Sequence, residues 1–452
     1  MEVIHGRCAG MDVSKKDAKV CVRVAGAGRR KTVETVRTWG ATTNQVLALR
    51  DHLIAEQVSL VVMEATSDYW KPFYYLLEDL TGVEVMLVNA RQVKNMPGRK
   101  TDVTDAVWLA QLGAHGLVRA SFVPPAPIRE LRDLTRTRTM VTRERGREIQ
   151  RLEKLLEDAG IKLSSVASDI TGVSGRLMLQ ALIDGHRDPA ELADLAKRRL
   201  RHKIPELTEA LTGRFNGHHA FLARIHLESI DQRTRQIAEL DHRIDQAMAP
   251  FRSFADLICS IPGIGRQTAE VVVAETGADM TVFPSPKHLA SWAGVCPGSN
   301  ESAGRVKSTR TRPGNPYLKA ALGTAALSIA ATRGSFLAAK YKRLAARRGG
   351  KKALVAIEHQ GAAQGREQQA GRGDQRAARD RPAAARDQRG AAADQGPAGP
   401  GRHPGQRELD PGGGSPPDLH RAEPVEHRDS VRRPRPRGHC CARGRRGRQR
   451  QR

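Results

Sequence analysis

The stretch Cys8-Ala9-Gly10-Met11-Asp12-Val13 sets one carboxylate inside an otherwise apolar run. Burying a carboxylate is costly unless a cation or donor meets it, so an acid at this place in a strand points to a partner near the strand's end. The pattern returns downstream. Glu64 closes the apolar run Leu60-Val61-Val62-Met63-Glu64, and Asp102 and Asp105 stand three apart in Lys100-Thr101-Asp102-Val103-Thr104-Asp105-Ala106. Working outward, apolar alternation over 18–24 and 33–38 predicts two more strands, with Gly26 and Gly28 in the turn between them. An amphipathic helix over 44–56, a strand over 60–63, a helix over 68–80, a strand over 83–88 and a helix from about residue 101 follow. Three strands succeeded by alternating helices and strands predict a mixed α/β sheet across residues 7–125, and in such sheets sites gather at strand ends.

Size and charge bound the rest. At 452 residues there is room for two or three cores, and a formal charge of +26 calls for a polyanionic partner, because releasing counterions from nucleic acid favours clustered Lys and Arg. No run approaches the roughly 20 apolar residues that span a bilayer, and Met1-Glu2-Val3-Ile4-His5 lacks a signal-peptide layout. The expectation is a cytoplasmic, nucleoid-associated protein without membrane contact. Cysteines at 8, 21, 259, 296, 440 and 441 show no Cys-x-x-Cys spacing, which argues against structural zinc and a disulfide framework.

Residues 126–250 turn helical and charged. Ile230, Ile237 and Ile244 recur every seven residues, with Leu240 and Ala247 between them. This narrow apolar seam fits a coiled coil and equally a bundle within one chain; either makes a long arm. The region 251–359 begins with Ile258-Cys259-Ser260-Ile261-Pro262-Gly263-Ile264-Gly265-Arg266, in which Gly263 and Gly265 permit a tight turn before a helix. The turn resembles the hairpin of helix-hairpin-helix modules, which offers backbone N–H groups to a DNA phosphate, although a plain helix–turn–helix connection reads the same way. From residue 360 onward the composition shifts: residues 361–452 contain Arg but no Lys, and no Ile, Met, Phe, Tyr, Trp, Asn or Thr. So little apolar matter predicts disorder over 360–452. Either this is a basic nucleic-acid-binding tail or the reading frame has shifted in a GC-rich gene. The break in what reads as mid-helix favours the second, and a frame-shifted end would impair the product.

Taken alone, Asp102 and Asp105 fit a helix cap and a solvated face. The order strand Asp, strand Glu, then helix Asp-x-x-Asp changes that. Cleaving a phosphodiester needs stabilisation of a charge-rich transition state, which two cations about 4 Å apart among several carboxylates supply. Asp12, Glu64, Asp102 and Asp105 are therefore the expected metal ligands.

These segments resemble the DEDD motif of the RuvC-like domain in the transposases of insertion-sequence family one-ten, a group that includes the Piv-type DNA invertases. The likeness continues through 283–305 and through Gly314-Asn315-Pro316-Tyr317-Leu318-Lys319. The resemblance implies an RNase H-like (RuvC-like) N-terminal domain, a helical or coiled-coil middle, and a mainly α C-terminal domain carrying the hairpin-like motif. It further implies Mg2+, with Mn2+ able to substitute, and a serine nucleophile that maps onto Ser302, with Ser299 and Ser308 close by. By sequence alone Ser302 reads as a turn residue. Arg305 and Lys307 beside it are expected to meet nucleic acid, as are Arg99, Lys100, Gly263, Gly265 and Arg266. The partners implied are DNA at the element's ends and target, a structured guide RNA, and further copies of the chain in a dimer or tetramer. Two rivals are a RuvC-like junction nuclease that hydrolyses with water and a DNA-binding accessory protein without catalysis.

Overall fold

The computed structural model describes residues 2–26, 28, 30–89, 102–298 and 300–379. Strands β1 (Arg7–Val13), β2 (Asp17–Val24), β3 (Val33–Gly40), β4 (Leu60–Glu64) and β5 (Glu84–Val88) form a sheet in the order β3-β2-β1-β4-β5. The first three are antiparallel neighbours, while β4 runs parallel to both β1 and β5. Gly28, in the β2–β3 turn, has φ +62°, a conformation that glycine adopts without a Cβ penalty. Helices α1 (Thr43–Ala55), α2 (Trp70–Leu77) and α3 (Asp102–Ala114) complete the mixed α/β layer read from the alternation.

Alternation sorts the sheet's residues onto two faces. Ala9, Met11, Val13, Val61 and Met63 pack with Leu49, Leu53 and Phe73 beneath α1 and α2. Cys8, Leu60 and Val62 pack on the opposite face with Ala106, Leu109 and Ala110 of α3. Contact with α3 is unusually close at Gly10, where a Cβ would lie 2.2 Å from the Ala106 carbonyl oxygen and 2.3 Å from the Ala110 nitrogen. Backbone cannot yield as a flexible side chain does. Gly10→Ala is expected to push α3 off the sheet at a cost of about 1–3 kcal/mol, measurable as a lower urea midpoint. A midpoint unchanged from the parent would show that the helix has slack.

Beyond the sheet, α4 (Ala126–Asp158) and α9 (Gly217–Ala247) are the two long helices. They lie antiparallel against each other: Arg138 meets Asp241, Arg233 meets Glu144 and His226 meets Glu148. Of the two readings of the isoleucine seam, pairing within one chain is the one seen, with Ile230 and Ile244 buried. Asn216 caps α9 through the amides of His218 and His219, and the His219 ring returns to the Asn216 backbone. Short helices α5 (Leu163–Val166), α6 (Val173–Ile183), α7 (Pro189–Asp194) and α8 (Ile204–Leu211) fill the far end around Met178, Leu179 and Leu182.

The remaining elements are α10 (Arg252–Cys259), α11 (Arg266–Thr276), α12 (Pro286–Trp292), the hairpin β6 (Asn300–Ser302) and β7 (Arg305–Ser308), α13 (Pro316–Ala331), α14 (Phe336–Arg348) and α15 (Gly350–Arg379). Their core also takes Ile128 and Leu131 from α4, Ile244 from α9 and Met248 just past its end, so the arm is rooted in it. One expectation is corrected here. The compositional break at residue 360 does not end the last helix: α15 continues to Arg379, and Ala362 is buried in this core. Alanine suffices because the position faces close-packed neighbours and needs no bulk. Residues 380–452 lie outside the described residues. Among the described residues no helix is long and apolar enough to cross a membrane.

Candidate active site and the serine hairpin

Strand parity places Asp12 and Glu64 on the α3 face, in line with Gly10 and Val62. The register Gly10↔Val62, Met11↔Met63 brings Asp12 and Glu64 level as the next pair, about 4.8 Å apart across the strands. Helix α3 runs back along β1: Cys8 donates to the Ala110 carbonyl at 3.2 Å, and Gly10 abuts Ala106. Asp12, two residues on, therefore reaches the first turn of α3, which carries Asp102 and Asp105. Three of the expected acids, Asp12, Glu64 and Asp105, thus share one face of the domain at the carboxyl ends of two parallel strands. The side chain of Asp102 falls outside the description, as do residues Arg99 and Lys100 with the basic segment 91–100.

The donors fit a hard divalent cation. All are carboxylates, Glu64 is 8% exposed, and no thiol or imidazole competes in the set. Burial pushes the Cys8 thiol up to about 11 and the Cys21 thiol up to about 12, which keeps both neutral and removes them as nucleophiles or ligands. The acids share a face without standing as a finished cage: among the described residues no three His, Cys, Asp or Glu side chains are spaced to hold an ion. Sequence reading missed Lys19, which pairs with Asp12 in the β1–β2 register and so shares its face. Only the pairing register reveals it.

Ser302 ends β6 and pairs with Arg305 across the two-residue turn Ala303-Gly304. Both turn residues have positive φ, 50° and 73°, the conformation that matches a tight hairpin to strand twist. Ser302, Arg305 and Lys307 are exposed, and the Ser302 hydroxyl makes no hydrogen bond to another described residue. The predicted turn residue and the predicted nucleophile are thus the same hairpin tip. Ser308 lies at the other end of β7, and Ser299 is outside the described residues.

The turn between α10 and α11 has the expected shape. Gly263 has φ +86° and no room for a Cβ, which would meet Ile329 at 2.3 Å, while Gly265 is the open N-cap of α11. The amides of residues 266–268 begin that helix and have no intrahelical acceptor. Arg266 is less available than expected, since its guanidinium pairs with Asp245 and, at 3.3 Å, with Glu270.

A polar junction that sequence reading did not identify sits at the other end of α11, beside the N-terminus of α13. Glu275, fully buried, accepts hydrogen bonds from Nε and Nη2 of Arg136, each at 2.7 Å, and from the Asn315 amide at 2.6 Å, and Arg132 approaches at 3.3 Å. Asn315 also caps α13 through the amides of Tyr317 and Leu318. The Asn-Pro pair preceding an apolar run signals that cap, but nothing in the sequence marks Glu275 as its partner.

Comparison with known proteins bears on this arrangement. Residues 9–161 match a DEDD transposase family model described as Transposase, and residues 255–342 match the model described as Transposase IS116/IS110/IS902 family. The chain belongs to the IS110 family of DEDD transposases. The first matched span contains all four acids and the second contains Ser302 and the Gly263 turn. Among curated relatives, an uncharacterized 43.6 kDa protein of insertion element IS110 from Streptomyces coelicolor is 35% identical over 77 residues, 17% of this chain and 19% of that protein. The pilin gene-inverting proteins of Moraxella lacunata and Moraxella bovis are 41% and 39% identical over 69 residues, 15% of this chain and 21% of theirs. The matched stretch therefore spans about a fifth of each relative's length.

Proposed function

We propose that this family member is a DNA recombinase that cuts and rejoins strands of a mobile element. Asp12, Glu64, Asp102 and Asp105 hold the metal, and Ser302 supplies the attacking hydroxyl. The observation that carries the reading is the shared face of Asp12, Glu64 and Asp105 at the ends of β1 and β4. A sheet of three antiparallel strands extended by two parallel ones, with acids on the face covered by α3, supports an RNase H-like, RuvC-like domain. Divalent magnesium, with manganese as a substitute, would offset charge on the scissile phosphate. The chain's own residues do the rest: the carboxylates would hold that cation, and Arg305, paired with Ser302, stabilises the alkoxide as the hydroxyl gives its proton to solvent. Its oxygen bonds the scissile phosphorus while the strand's P–O bond breaks and the strand oxygen leaves protonated, and the reverse step rejoins the strand.

The exposed hairpin tip suits a hydroxyl that meets its acids only when DNA is bound, within one copy or between copies of a dimer or tetramer. The formal charge of +26 supports a polyanionic partner, DNA together with a structured guide RNA. Ser302→Ala is expected to lower recombination of a marked element by about 10³-fold or more, since removing an activated nucleophile costs several kcal/mol of transition-state stabilisation. The test is rejoined product counted after the variant is expressed beside its element. A junction nuclease using water would leave strand scission intact in Ser302→Ala and lose it in Asp105→Ala, and that pattern would overturn the recombinase reading.

A further inference from the structure

The serine hairpin borders a cavity of about 1080 Å³ that none of the proposed chemistry uses. Five cations line it: Arg310 from the segment after β7, Lys340 and Arg348 from α14, and Lys351 and Lys352 from α15. No carboxylate is among its lining residues, and among the described residues none of the five forms an ion pair with one. Lys340 alone has a side-chain partner, the Gln360 amide oxygen at 2.5 Å. Where this chain buries its arginines it meets them with carboxylates, as with Arg136, Arg138 and Arg176. Like charges gathered in a concave site with no counter-charge repel one another and focus a strong positive field; a bound polyanion relieves both.

The floor is different in kind. Val295, Pro297, Val355 and Ala356 give it an apolar surface, with the Thr309 and Thr311 segment at the edge. Cationic walls around an apolar floor suit an unpaired nucleotide, whose phosphates take the charge and whose base covers the floor; a duplex keeps its bases turned inward. Ser308 lines the cavity and closes β7, whose other end pairs with Ser302. At 3.3 Å per residue the cavity starts about 10 Å from the serine, within reach of the same strand.

We infer that this cavity holds single-stranded DNA next to the strand Ser302 attacks, fixing the phosphate to be joined. This deepens the recombinase reading and depends on it for the word "attacks", while the binding itself is measured without any chemistry. The test is fluorescence anisotropy of the full chain with a labelled single-stranded DNA in EDTA, across salt concentrations. Lys351→Glu with Lys352→Glu is expected to weaken binding at least tenfold and to flatten the log–log salt slope by about 1.4, the share of two single-strand phosphate contacts. Reversing Arg198 and Arg199, exposed in the arm's tip, changes net charge equally and is expected to leave affinity within about twofold. Ala356→Trp keeps every cation and fills the floor; it is expected to weaken the single strand at least fivefold and leave duplex binding unchanged. Equal losses for the Lys and Arg pairs, an Ala356→Trp variant that binds normally, or a tenfold preference for an RNA strand of the same sequence would each overturn the assignment. A chain that binds as expected but never cuts DNA would leave the site standing and sink the recombinase reading instead.

Discussion

Asp12→Asn is expected to abolish strand cleavage, by about 10³-fold or more, with DNA affinity held within about twofold. Asn has the shape of Asp, and β1 is hydrogen-bonded on both sides by β2 and β4, so the backbone is held whichever residue is present. What changes is one full negative charge and an anionic oxygen donor at the point where Glu64 and the first turn of α3 meet. Loss of that donor weakens cation binding and the electrostatic offset of the phosphate together, on the order of 4 kcal/mol, and each 1.36 kcal/mol is tenfold in rate. Cleavage of a radiolabelled element end in magnesium, compared with the parent at matched folded fraction, is the measurement. A rate within tenfold of the parent would remove Asp12 from the site and leave the shared face of the acids without a role.

The second large effect concerns stability. Glu275→Ala is expected to cost about 3–5 kcal/mol, because it strands Arg132 and Arg136 beside a buried void and leaves the Asn315 amide without its acceptor. Burial already pushes the Arg132 guanidinium down from its usual range, so this cation has no reserve of solvation to draw on. The junction joins α4, α11 and α13, and its loss should loosen the arm from the core that carries the serine hairpin. Thermal unfolding followed by circular dichroism is expected to show a midpoint lower by roughly 10 °C, taking 2–4 °C per kcal/mol for a region of this size. Replacing Glu275 by Leu together with Arg132 and Arg136 by Met should recover the part of the loss due to the stranded cations, because an apolar set of similar volume needs no counter-charge, while the Asn315 amide still lacks its acceptor. A drop of under about 1 kcal/mol in Glu275→Ala would show that water reaches the junction and replaces the carboxylate.

How far the fold was legible follows from periodicity. Strand alternation at Cys8 to Val13 and Leu60 to Glu64 assigned the strands and, because parity is strict, also fixed that Asp12 and Glu64 lie on one face once the strands pair. The breaks at Gly28 and Gly263 were legible for the same reason, since few residues tolerate their backbone. The arm's partner was not. A heptad of isoleucines states that Ile230 and Ile244 seek an apolar surface without saying whose, and only the antiparallel course of α4 and α9 supplied it. Composition does not show where α15 ends, because it averages over a window whereas burial is decided residue by residue, and Ala362 joins Ala353 and Ile357 in packing that helix.

The sequence by itself marked the candidate acids and the candidate serine, and it determined the turn glycines and the family to which the chain belongs, because these depend on local pattern and residue chemistry. Only the tertiary structure decided which residues stand beside them: Lys19 by register, Glu275 by burial, and the cations of the cavity by the approach of α14 and α15 to β7. The physical reason is that side-chain type and spacing are written along the chain, while charge balance and desolvation depend on neighbours tens or hundreds of residues away.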